Sequence, residues 1–169
     1  MLVFMKIIAI DPGYDRVGVA ILEKTENSPK ETVIFSVCIT TDKKTGFYDR
    51  LKQVQVELNK IIQDYKPEQL VMEELYFAKN SPTALHVAEA RGIISSEAIR
   101  QGIPIYEIHP NHVKIAVAGH GAAKKPDILW MIGKLVDWDP VGKLDDEVDA
   151  VAVGIAFFAH AKFNSIIAK

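Results

Sequence analysis

The sequence predicts an α/β fold with a mixed, five-stranded sheet flanked by helices, and three observations carry that reading. Apolar, β-branched runs separated by short turn signals fill the first 40 residues. From Thr45 the apolar spacing changes to the helical period. Beyond that point short apolar strands alternate with helices, which places parallel strands in the same sheet.

Taken in order, "VFMKIIAID" and "VGVAILEK" flank "PGYDR", a turn of hairpin length, and "ENSPKE" leads into "TVIFSVCIT". These three strands form an antiparallel meander. Phe47, Leu51, Val54, Leu58, Ile61, Ile62 and Tyr65 share one helical face, which "KPEQ" ends. "LVMEE" reads as a buried fourth strand. "SPTALHVAEARGIISSEAIRQG" has Ser81 as N-cap, Pro82 at the first helical position and Gly102 as its stop. "IPIYEI" is the fifth strand, parallel to the fourth because a helix connects them. "PNHVKIAVAG" and "PDILWMIGKLVDW" are helices opened by proline, and a last helix runs from about Asp145 to His160.

Half of the 169 residues are apolar (49%), a quarter are charged (25%) and the net charge is -2, which excludes a disordered or fibrous chain. A single cysteine, Cys38, cannot form an internal disulfide and fits a reducing compartment. The apolar N-terminus lacks a basic leader, and no run reaches the roughly 20 apolar residues of a membrane span. A cytoplasmic protein is expected. Between Glu107 and Asp127 there is no acid, yet Lys114, Lys124, Lys125, His109, His112 and His120 lie there. Such a local basic surface suits an anionic partner.

Asp11 stands where the first strand asks for another apolar residue, and Glu73 and Glu74 follow the apolar "LVM". Alternation sends the two glutamates to opposite sides, with Glu73 inward. Asp146 and Asp149, three apart, share one face near the start of the last helix. Acids are also favoured in a first helical turn, and a lone strand-end acid is often a turn former. Three distant acid sites, each closing a buried element, would repel one another and raise their own pKa values unless cations intervene. Oxygen-only ligation without cysteine suits magnesium or manganese. Two such ions about 3.5–4 Å apart is the arrangement for in-line phosphodiester cleavage. A zinc site from His109, His112 and His120 lacks a cysteine or acid to complete it.

The segments "IIAIDPGYDRVGVAIL", "VMEELYFAKNSPTALHVAEARG", "PNHVKIAVAGHGAAKK" and "LDDEVDAVAVGIAFFAH" resemble, in order and spacing, the RuvC Holliday-junction resolvases of bacteria. The resemblance extends from Lys6 to about His160. It implies a ribonuclease-H-like (retroviral-integrase-like) nuclease domain over residues 1–169 and a homodimer. The implied activity is paired, magnesium-dependent nicking of strands of like polarity across a four-way junction, beside a RuvA–RuvB branch-migration complex. It assigns metal ligation and catalysis to Asp11, Glu73, Asp146 and Asp149, and places Lys114 and Lys125 near the scissile phosphate, with Lys124 adjacent to the latter. Tyr76 or Phe77 takes the place of an aromatic wedge at the junction centre. With Lys79 and Asn80 these rings give a stacking platform and DNA-backbone contacts. Arg91 and Gly92 fall in the helix that the family uses between subunits.

Other functions share parts of this pattern. A YqgF-like nuclease or an RNA–DNA hybrid nuclease would carry a similar strand-1 motif. An actin-like phosphotransferase needs two such domains and a second glycine-rich phosphate loop. A catalytically dead junction scaffold has no need of four mutually repelling acids.

Overall fold

A computed structural model describes residues 4–25, 28–75 and 83–167. The strands are β1 (Phe4–Asp11), β2 (Arg16–Thr25), β3 (Glu31–Thr40), β4 (Gln69–Glu73), β5 (Ile105–Ile108) and β6 (Val136–Asp137). The helices are α1 (Phe47–Tyr65), α2 (Ala84–Arg100), α3 (Pro110–Ala118), α4 (Lys125–Leu135) and α5 (Asp145–Ile167). Sheet order is β5-β4-β1-β2-β3-β6. β1, β2 and β3 pair antiparallel, while β4 lies parallel to β1 and β5 parallel to β4, as the helical crossover requires.

The alternation of the strands divides the core in two. Ile8, Ile10, Val17, Val19, Ile21, Leu70 and Met72 pack with Val54, Leu58, Ile61 and Ile62 of α1 and Ile94 and Ala98 of α2. Ile7, Ala9, Ala20, Leu22 and Val71 face the other way, against α3, α4 and α5. Strands β1 and β4 are buried on both faces and accordingly read as continuous apolar runs. The middle of α5 is buried all round, from Ala150 to Ala156. Gly154 permits this closeness, because a Cβ there would stand 2.5 Å from Leu22 Cδ1.

Three expectations shift. The sheet has six strands rather than five: Val136 and Asp137, expected as helix, leave α4 and pair in parallel with Glu31 and Thr32. Val136 is already extended (φ -123, ψ 159) while its N–H still bonds the Ile132 carbonyl. A two-residue strand has no periodicity to announce it. Helix α5 continues past His160 to Ile167. Helix α2 takes Thr83 as its N-cap residue, and the expected cap, Ser81-Pro82, lies outside the described residues. Gly102 does stop α2, in the left-handed region at φ +71. No helix among the described residues is long and apolar enough to cross a membrane.

Candidate active site

The site begins with strand parity. Ile7 and Ala9 of β1 and Val71 of β4 belong to the core facing α5. Asp11 and Glu73 continue the same alternation, so both emerge on that face. Ile10 is the parallel partner of Met72, so the next residues, Asp11 and Glu73, leave the sheet side by side. Glu73 is half-buried and Glu74 exposed, which fixes Glu73 as the inward glutamate. Helix α5 starts over the same rim. Its descent onto the sheet needs Gly18, the cross-strand partner of Asp11. A Cβ on Gly18 would stand 1.8 Å from the Asp146 carbonyl oxygen.

Electrostatics shows that the acids share one neighbourhood. Asp11 is pushed up to about 7, first by burial and then by the charges of Asp149, Glu73 and Asp146, with Lys125 opposing. Burial also raises Glu73, Asp149 adding to it, while Lys114, His109 and Arg91 pull the other way. Asp149 is raised by burial against the pull of Lys125. The shifts need both causes: taking carboxylates out of water costs energy, and placing them together adds repulsion.

Basic side chains of the chain itself answer these acids. Lys125 Nζ lies 3.3 Å from Asp145 and 3.5 Å from Asp149. Burial acts to lower its pKa, but Asp149 and Asp145 outweigh that and raise it. Arg16 Nε lies 3.0 Å from Asp146 Oδ2. That carboxylate oxygen is nonetheless buried without an aligned hydrogen-bond donor. Arg91 of α2 donates to the main-chain oxygen of Glu73 and pairs with Glu107. Lys124 is the N-cap of α4, its N–H bonding Asp127 Oδ2 at 3.0 Å, so Lys125, rather than Lys124, meets the acids.

Among the described residues, no three histidine, cysteine or acidic side chains converge as a ready cage for an ion. The donor set fits hard cations nevertheless: it is all oxygen, mutually repelling, and includes a buried oxygen lacking a donor. Asp146 and Asp149 would have to leave Arg16 and Lys125 to hold such an ion together with Asp11 and Glu73. The histidines take other places. His109 caps α3 by accepting the Asn111 N–H at its Nδ1, 3.1 Å away. Its ring lies 5.5 Å from that of His112, which lies 5.3 Å from that of His160. His120 lines a shallow groove with Trp130. Tyr76, Phe77, Lys79 and Asn80 lie outside the described residues.

Arg16 escaped the sequence reading, and Arg91 was placed there only in the helix between subunits. The sequence reads Arg16 as the end of the "PGYDR" turn, where a charged residue is unremarkable, and only its pairing with Asp146 across 130 positions gives it meaning. Arg91 had a helical position next to Gly92 but no visible acceptor until β4 and β5 were placed.

A family model described as "Crossover junction endodeoxyribonuclease RuvC" matches residues 7–157. The chain belongs to the RuvC family. It is 37% identical over 159 residues to the crossover junction endodeoxyribonuclease RuvC of Thermosipho melanesiensis, covering 94% of this chain and 100% of that one. It is 40% identical over 160 residues to RuvC of Halothermothrix orenii, covering 95% and 96%. The fold matches that of Thermus thermophilus RuvC in complex with a Holliday junction substrate. That match has a TM-score of 0.87 at 23% identity and covers 95% of this chain and 96% of that one. A yeast mitochondrial Holliday junction resolvase shares the fold more distantly, with a TM-score of 0.69 at 12% identity, covering 92% and 78%. The ribonuclease-H-like architecture expected from the sequence is thus the RuvC architecture, built here on six strands rather than the five expected.

Proposed function

We propose that this RuvC-family chain is a crossover junction endodeoxyribonuclease that resolves four-way DNA junctions by paired nicks in strands of like polarity. The observation that carries the reading is the gathering of Asp11, Glu73, Asp146 and Asp149 at one sheet rim, where burial and then the charges of Asp149, Glu73 and Asp146 push Asp11 up to about 7. Lys125 and Arg16 offset part of that repulsion, and divalent cations would remove the rest. Asp11, Glu73, Asp146 and Asp149 would hold divalent cations, magnesium by the all-oxygen donor set, with manganese as a substitute. Bound there, the ions supply an activated water and stabilise the leaving oxygen.

The remaining work falls to the chain. Lys125, beside Asp149, and Lys114, whose charge reaches Glu73, neutralise negative charge as it develops on the phosphate. Lys124, Tyr76, Phe77, Lys79 and Asn80 contribute backbone contacts and base stacking at the junction centre.

Symmetric cuts need two sites related by a two-fold axis, and α2 offers the surface for a homodimer. Leu85, Glu89, Gly92, Ser96 and Ile99 form one exposed stripe along it. A Cβ on Gly92 would meet nothing within 4 Å inside the protomer, so no internal contact explains that glycine. A second α2 crossing closely at Gly92 and Ser96, flanked by Leu85 and Ile99, does. Action in the cytoplasm beside a RuvA–RuvB branch-migration complex belongs to the same reading.

The test is a labelled synthetic four-way junction, a plain duplex and an RNA–DNA hybrid, each incubated with magnesium and with chelator. Paired magnesium-dependent cuts in the junction alone support the resolvase. Preferential cutting of the hybrid would reassign the chain to a different ribonuclease-H-like activity.

A further inference from the structure

We propose that the groove beside Asp146 is a second phosphate site, in which Arg16, with Lys43 at the rim, holds a phosphodiester next to the scissile one. This rests on the nuclease reading above and names how the cut strand is held on the Asp146 side. The groove has a volume of about 410 Å3 and is lined by Gly13, Tyr14, Arg16, Lys43 and Thr83 as well as Asp146 itself. It therefore opens directly from the acidic centre.

The turn that carries its wall is held from behind by buried polar contacts. Thr41 is 2% exposed and donates through its hydroxyl to the Tyr14 carbonyl, 3.1 Å away, and through its N–H to the Asp15 carbonyl at 3.0 Å. Arg50, also buried, donates from Nε to Thr41 Oγ1 at 2.9 Å, pairs with Asp15, and lies 3.8 Å from the Tyr14 ring centre. Tyr14 is further held against Phe47 and His86. The turn between β1 and β2 is thus fixed by the chain's own contacts, so the Arg16 side chain leaves from a fixed base.

Charge decides the ligand. Two cations, Arg16 and Lys43, and two acids, Asp15 and Asp146, line the groove, and the buried Arg50 lies behind Asp15. Lys43 and Arg50 both belong to Asp15, with Lys43 at 2.8 Å, which among the described residues leaves Arg16 to Asp146. When Asp146 turns to the divalent ions, Arg16 loses its counter-ion while half of its side chain stays open to solvent. The anion that arrives at that moment, in that direction, is the strand being cut. Arg16 is handed from carboxylate to phosphate, and a guanidinium suits both because its planar fork matches either set of oxygens.

The experiment uses four-way junctions carrying a single methylphosphonate, which deletes one phosphate charge, placed in turn at each phosphate flanking the scissile bond. Single-turnover cleavage in saturating magnesium is compared for the wild-type protein, Arg16→Ala and Arg16→Lys. One position should slow the wild type roughly tenfold, the worth of one charge-assisted contact. Arg16→Ala should be slowed to the same degree on the unmodified junction and be indifferent to the lesion there, while keeping its sensitivity elsewhere. Arg16→Lys should fall between. If Arg16→Ala keeps the wild-type sensitivity at every position, the phosphate contact is wrong. Manganese binding without DNA, followed by electron paramagnetic resonance, reads the handover itself: Arg16→Ala should bind several-fold tighter, and equal affinity overturns the competition for Asp146. Failure of the nuclease reading looks different, as a wild-type protein that leaves the unmodified junction intact. The contact is then read from binding of the same modified junctions, with the same overturning result.

Discussion

The main chain of Asp146 occupies the space where Gly18 lacks a side chain, with the Asp146 carbonyl oxygen 1.8 Å from a would-be Gly18 Cβ. Gly18 is also the cross-strand partner of Asp11. One residue therefore sets the distance between two acids that are remote in sequence. The obstacle is backbone rather than a flexible side-chain tip, so Gly18→Ala must lift the first turn of α5. Overpacking of this kind costs about 1–3 kcal/mol. The variant should melt several degrees lower, and its cleavage should fall further than the stability loss explains, because Asp146 and Asp149 move with the helix. A Gly18→Ala protein with wild-type melting temperature and rate would show that α5 is not positioned by this contact.

Asp11 is a largely buried carboxylate near three others. Replacing it with asparagine removes a charge but keeps the shape. Asp11→Asn should abolish cutting in magnesium while junction binding stays within a few-fold of wild type. At pH 8 without metal it should also be the more stable protein, by roughly 1–3 kcal/mol, which for a chain of this length is several degrees of melting temperature. Normal cutting by Asp11→Asn would remove it from the ligand set.

The same group gives the chain a pH signature. Its folded pKa of about 7 lies above the ordinary aspartate value of 3.8, so the folded state keeps a proton that the unfolded state has lost. Asp11 thus contributes stability that is fully present below about pH 4 and disappears as pH rises to about 7. Metal-free wild type should lose stability across that window relative to Asp11→Asn. Metal affinity has the opposite slope, since a ligand must be deprotonated: manganese binding should tighten up to about pH 7 and then level off. Calorimetric titration at several pH values checks both arms, and a flat affinity profile would mean that Asp11 is already ionised well below neutrality.

These predictions rest on residues that the sequence revealed unequally. Asp11 and Glu73 were legible because buried strands alternate and any interruption shows, and parity alone separated Glu73 from Glu74. Asp146 and Asp149 were legible as a helical pair. Arg16 was not, because its meaning lies in a contact between β2 and α5 that no local pattern encodes. Strand β6 was missed for a related reason: two residues carry no period, and only Glu31 and Thr32 across the ladder make Val136 and Asp137 a strand. What the sequence left dark was tertiary pairing between short or isolated features.

Lys125 and Lys124 are adjacent but not equivalent. Lys125 lies within 3.5 Å of Asp149, whereas Lys124 heads α4 through its own N–H. Lys125→Ala should slow single-turnover cleavage by about a hundredfold to a thousandfold, the range expected when a group stabilising transition-state charge is lost. Lys124→Ala should leave the rate near wild type and reduce the salt slope of binding by about one phosphate contact. Salt titrations and rates measured on both variants decide it, and equal rate losses would make the pair a shared basic surface with no specialised member.

Helix α2 supplies the last test. Leu85 and Ile99 are 68% and 70% exposed, fourteen positions apart on the stripe that passes through Gly92. Burial of both against a second copy is favourable, and a charge at either end of a two-fold interface is met twice. Ile99→Asp should therefore shift the protein from dimer to monomer in sedimentation, with its melting curve little changed because the residue makes no internal core. Each monomer keeps its acids, so it should still nick a junction while losing the coordination of the two cuts. On a supercoiled cruciform plasmid this reads out as nicked circles accumulating before linear product. Simultaneous cutting by a demonstrably monomeric Ile99→Asp protein would place the subunit contact elsewhere.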